Sequence, residues 1–217
     1  MNYLKFLSVI LISGLCSCQS NGPKSADEHS SHDSTSHASS SERTEMAIVM
    51  DNMMKDMHQA EMTGNADLDF AVMMKSHHEG AVEMAEEELK SGKDEAIKQM
   101  AREIAGAQKT EIVELEAFIS SPKNAAKNYD PATKNSGFGK VMDKSMKMMM
   151  ELPELAAGSS VDEQFVALMI PHHQSAVYMA EGLLQYGKDP KLMEMAKKMI
   201  ADQNREIDAF KKWSSAR

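Results

Sequence analysis

From residue 46 onward, apolar positions recur at steps of three and four residues, and no stretch alternates with a period of two. Phe70, Met73, His77, Ala81 and Met84 follow this spacing, as do Ile97, Met100, Ile104, Gln108 and Ile112. Each run predicts one face of a helix. Between them, Gly92 stands where a helix would end in a left-handed residue, and Asp94 can cap the helix that follows. The same punctuation returns at Gly187 and Asp189, with Pro190 suited to a first helical turn. Two antiparallel helical hairpins are therefore expected. A shorter Met-rich helix precedes each, over roughly 45–60 and 139–151, and the Pro-, Asn- and Lys-containing stretch 120–136 reads as a linker.

The two hairpins are copies of one another. A shift of 95 positions lays Phe70-Ala71-Val72-Met73-Met74-Lys75-Ser76-His77-His78 over Phe165-Val166-Ala167-Leu168-Met169-Ile170-Pro171-His172-His173. Ala81, Val82, Met84, Ala85 and Glu86 then fall on Ala176, Val177, Met179, Ala180 and Glu181. Further on, Gln108 and Glu111-Ile112 fall on Gln203 and Glu206-Ile207. Upstream, after a three-residue change in loop length, Met50, Met54 and Met57 match Met142, Met146 and Met149. Two hairpins with one apolar face each bury it best against one another. The expected fold is all-α: a four-helix bundle of two duplicated hairpins, with a first repeat over 46–119 and a second over 137–214.

The N-terminal part reads differently. A short basic start and an apolar run to Leu15 form a signal peptide over 1–17, too short to span a bilayer. Leu15-Cys16-Ser17-Cys18 resembles the bacterial lipoprotein cleavage box, which would make Cys18 the lipidated first residue. No cysteine follows it, so neither disulfides nor thiolates contribute to the folded part. Residues 18–45, rich in Ser and with almost nothing apolar, read as a disordered tether. Its His29, His32 and His37 suit either a solvated spacer or a weak metal-binding tract. The expected location is the cell envelope, on the periplasmic side of the outer membrane, with the lipid as the only membrane contact. A net charge of -9 without a basic stripe argues against nucleic acid.

Twenty-one methionines make the composition unusual. Methionine fills cores, but its thioether is also a soft ligand for Cu(I) or Ag(I). Met46, Met50, Met54, His58 and Met62 are successive four-residue steps, and Met142, Met146 and Met150 repeat the pattern. The histidine pairs are more specific. Met74 with His78 and Met169 with His173 are four apart, and His77 with Met84 and His172 with Met179 are seven apart. Each pairing sets a thioether near an imidazole on one helical face. The same histidines would serve equally as core residues bonded to Gln108, Glu111, Gln203 or Glu206, and those polar groups could instead orient a metal-bound imidazole. No Glu-x-x-His, His-Glu-x-x-His, phosphate loop or nucleophile elbow is present in the sequence.

At Met73-Met74-x-x-His77-His78-x-x-Ala81-x-x-Met84-Ala85, its second copy, and Gln108-x-x-Glu111-Ile112 with Gln203-x-x-Glu206-Ile207, the chain resembles a family. These are the ferritin-like bacterial envelope proteins known as domain of unknown function three hundred and five, which include copper-binding CopM proteins. The resemblance implies a ferritin-like four-helix bundle and, from the CopM-like members, copper binding and copper tolerance. The leading expectation is a non-enzymatic protein that sequesters Cu(I), and also Cu(II), or passes it to a copper-handling partner. A Cu(I)-oxidising oxidoreductase and a purely structural helical module are the alternatives.

Overall fold

The structure, a computed structural model, describes residues 44–121 and 126–217. The signal peptide, Cys18, the tether histidines and part of the linker lie outside the described residues. Within the described residues six helices follow in order: α1 Glu45–Gln59, α2 Ala66–Ser91, α3 Glu95–Ile119, α4 Gly137–Met150, α5 Val161–Tyr186 and α6 Pro190–Ser215. Among the described residues there is no strand, and no helix is long and apolar enough to cross a membrane.

The helix starts are encoded locally. Thr44, Asn65, Asp94, Ser160 and Asp189 each accept hydrogen bonds from first-turn amides, and Ser160 with Glu163 completes a capping box. Gly92 and Gly187 end their helices but are not left-handed, with φ of −66° and −73°. Their glycine requirement has another cause. A Cβ at Gly187 would lie 2.7 Å from Asp67 Oδ1, and one at Gly92 would collide with Glu88. Each glycine thus lets a turn come close to an acidic side chain.

Those turns hold the copies together. Asp67, at the start of α2, accepts from the amides of Lys188 and Asp189 in the α5–α6 turn, at 2.9 and 3.0 Å. Asp162, its counterpart on α5, accepts from Lys93 and Asp94 in the α2–α3 turn, at 2.9 and 2.7 Å. Each copy therefore satisfies the other's part-buried turn amides.

α2 and α5 lie side by side at the centre, each paired with its hairpin partner α3 or α6, while α1 packs on α2 and α4 on α5. Phe70, Phe138, Phe165 and Phe210 are fully buried, and Phe165 meets Phe210 edge-on at 5.7 Å. The two Met-rich helices thus cover the sides of the central pair. Met46, Met50, Met53 and Met57 of α1 all face the core.

Candidate metal centre

The histidines of both copies meet at the contact between α2 and α5. His77, His78, His172 and His173 have no exposed surface. The His77 and His172 rings approach to 3.7 Å between centroids, tilted by 40°. His172 Nε2 lies 3.0 Å from the His77 carbonyl oxygen, which can only accept, so His172 carries its proton there and presents a bare Nδ1. His78 Nε2 donates to Glu111 Oε2 at 3.0 Å. His173 Nε2 lies 2.8 Å from Glu206 Oε2 but misses the alignment a hydrogen bond needs. Both carboxylates come from the neighbouring hairpin helix, α3 or α6.

Burial dominates the electrostatics here. It pushes His77 well below the ordinary imidazole value, reinforced by His78 and His173. Burial does the same to His172, with His77, His173 and His78 adding to it. Both rings are therefore neutral at neutral pH, the form that binds metal. For Glu111, burial acts upward, but the hydrogen bond and charge of His78, with Lys198, outweigh it and hold the carboxyl below its usual value.

Several polar atoms here make no hydrogen bond: both ring nitrogens of His77, Nδ1 of His78 and of His172, both of His173, and the carboxamide oxygens of Gln108 and Gln203. Buried polar atoms are ordinarily satisfied, so such a concentration needs a reason. Met74, Met84, Met169 and Met179 are also fully buried. Among the described residues, however, no three His, Cys, Asp or Glu side chains already converge on one point.

A second cluster opens to solvent between the end of α1 and α4. A cleft of about 250 Å³ is lined by Met57, Met62, Met73, Met142, Met146 and Met150, together with His58. His58 Nδ1 donates to the Met54 carbonyl at 2.7 Å, which fixes the tautomer and leaves Nε2 free as a ligand. Asp143, paired with Lys147 at 2.6 Å, also borders the cleft.

Of the residues singled out in the sequence, His58, Met62, Met142, Met146 and Met150 share this cleft. Met54 is half-buried beside it and Met50 lies in the core. The cross-copy contact of His77 with His172 was not legible, because the spacing paired each histidine with a methionine of its own helix. Met57 and Met73 were also missed as cleft residues. Met57 had a four-residue neighbour in Met53, but Met73 arrives from α2 through packing alone.

This arrangement defines an internally duplicated helical bundle whose imidazoles and thioethers are gathered in two places. A family model described as Domain of unknown function (DUF305) matches residues 18–119 and again 67–214, and the chain belongs to this family. Among solved structures it is similar to CopM in its Ag-bound form, obtained by soaking. The identity is 28%, the TM-score 0.52, and the match covers 69% of this chain and 96% of that one. No curated protein sequence matches the chain.

Proposed function

We propose that this protein binds a soft monovalent metal ion, Cu(I) or Ag(I), in the bacterial cell envelope, and that it sequesters copper or hands it on without catalysing a reaction. The observation that carries this reading is the open cleft that six methionines line together with His58. Neutral sulfur ligands favour a soft d¹⁰ ion over Zn, Ca or Mg. The tautomer of His58 adds one nitrogen ligand at the rim. The likeness to silver-bound CopM supports the same class of cargo. An envelope location rests on the signal peptide and the Cys18 box, and a lipid anchor there would hold the bundle at a membrane without spanning it.

The test is to replace Met62, Met146 and Met150 by Leu in the full chain. Each swap keeps an apolar side chain of similar size, at a cost of less than about 1.5 kcal/mol. The fold should persist by circular dichroism, and Ag(I) bound per chain should fall by at least one equivalent. An unchanged stoichiometry would leave these methionines with a packing role only.

A further inference from the structure

One repeated motif takes no part in the Met-lined cleft: Gln108-x-x-Glu111 on α3 and its copy Gln203-x-x-Glu206 on α6. Residues three apart share a helical face. α3 and α6 run antiparallel, with Trp213 near the end of α6 donating to Asp94 at the start of α3 at 3.0 Å, and they do not pack tightly on each other. Between them lies a groove of about 230 Å³, and all four motif residues line it, beside Glu103, Asp202 and Arg205. The two copies of the motif thus meet in one place. Gln108 and Gln203 are each only 3% exposed, and the carboxamide oxygen of each makes no hydrogen bond. A buried amide oxygen without a partner is costly, and two of them in the lining of one acidic groove ask for a ligand.

We propose that Gln108, Glu111, Gln203 and Glu206 form a site for one hard divalent cation, of the Mn(II), Mg(II) or Ca(II) class, in the groove between α3 and α6. The donors set the class: carboxylate and amide oxygens suit hard ions and offer a copper- or silver-type ion no sulfur. A carboxamide brings its oxygen to such an ion by turning end for end. A carboxylate has about four lone-pair sites, so Glu111 keeps acceptor capacity while it takes hydrogen bonds from His78 and Lys198. Among the described residues no three His, Cys, Asp or Glu converge, so water completes the shell, as is usual for an ion held by one or two carboxylates. The two glutamates balance the charge of the ion. One basic group competes with it: Lys198 spans Glu111 and Asp202 at 3.3 and 3.0 Å, with 64% of its side chain exposed. The equivalent position in the first copy is Glu103, which lines the same groove. This site is independent of the soft-metal cleft, since it uses other residues and another class of ion.

The experiment titrates the full chain with Mn(II), followed by loss of the free-ion signal in electron paramagnetic resonance. Wild type should take up one Mn(II) per chain, displaced by excess Mg(II) or Ca(II). Replacing Gln108 and Gln203 together by Leu keeps every charge and should weaken Mn(II) binding by about tenfold or more. Lys198→Met removes an exposed competitor and should tighten it by about two- to tenfold. This second variant decides the matter if the buried pair cannot be replaced without unfolding. Absence of saturable Mn(II) uptake by wild type would overturn the site. So would unchanged affinity in the folded Gln108 and Gln203 variant, the result expected of an acidic surface that attracts ions by charge alone, or affinity that does not rise in Lys198→Met. Ag(I) bound per chain should be the same in both variants as in wild type, whether or not the cleft takes silver, so the two sites fail separately.

Discussion

The two copies keep the same centre and differ around it. In the first, Met53 of α1 lies over Gly80, where a Cβ would come within 2.6 Å of its sulfur. In the second, the matching positions are Ser145 and Ser175, and the Ser175 hydroxyl donates to the Ser145 carbonyl at 3.1 Å. A large thioether over a glycine and a pair of small hydroxyls are two solutions to the same helix contact. Glu111 is clamped by Lys198 at 3.3 Å, whereas Glu206 faces a copy in which the position equivalent to Lys198 is Glu103. Ser76 precedes the first histidine pair and Pro171 the second, which α5 absorbs without ending. Packing at the flanks has several answers, and at the centre the residue types repeat while their contacts differ: His78 bonds Glu111, and His173 lies beside Glu206 without that bond.

The largest difference to test is in the reciprocal turn locks. Asp67→Ala and Asp162→Ala should each cost about 2–3 kcal/mol, because part-buried turn amides lose a charged acceptor. Urea denaturation of the two variants measures this. Equal losses support equivalent locks, and a loss confined to one variant would break the symmetry.

Acid should act on both copies through the central pair. His77 and His172 have pKa values lowered in the folded state, so the unfolded chain binds more protons below the unfolded imidazole value. Their stabilisation is present above about pH 6.5 and drains away as pH falls from there toward their folded values, by about 2 kcal/mol over the first pH unit for the two rings. Denaturation midpoints between about pH 7 and about pH 5.5 should show this slope, and the His77 and His172 to Leu variant should lack it.

The smallest expected effect is the sharpest contrast between the copies. Glu88 is fully buried and its carboxyl faces that of Asp162, whereas the second copy has Leu183 at the equivalent position. Burial, and then Asp162, push the Glu88 carboxyl up to about 8. A raised folded pKa gives stabilisation that is complete below the unfolded carboxyl value and is lost as pH rises through about 8. Glu88→Leu should therefore stabilise by about 1 kcal/mol at neutral pH. Glu88→Gln should abolish the decline in melting temperature between about pH 7 and about pH 9, and a decline that persists would assign it to another group.

Local chemistry in the sequence determined the helices, their caps and the duplication, because three- and four-residue spacing, Asp94, Asp189 and Pro190 act within a few residues of themselves. The same spacing marked His58, Met62, Met142, Met146 and Met150 as ligating types. Tertiary structure decided the rest. Gly187 is small because Asp67 approaches it from another helix, which no dihedral preference announces, whereas Gly92 makes room for Glu88 of its own helix. Met73 joins the cleft from α2, and His77 meets His172 across 95 residues, because the docking of two amphipathic faces sets which turns of α2 and α5 touch. A one-dimensional pattern tells which face of a helix is buried, but the residue opposite it is fixed only when the second helix settles into place.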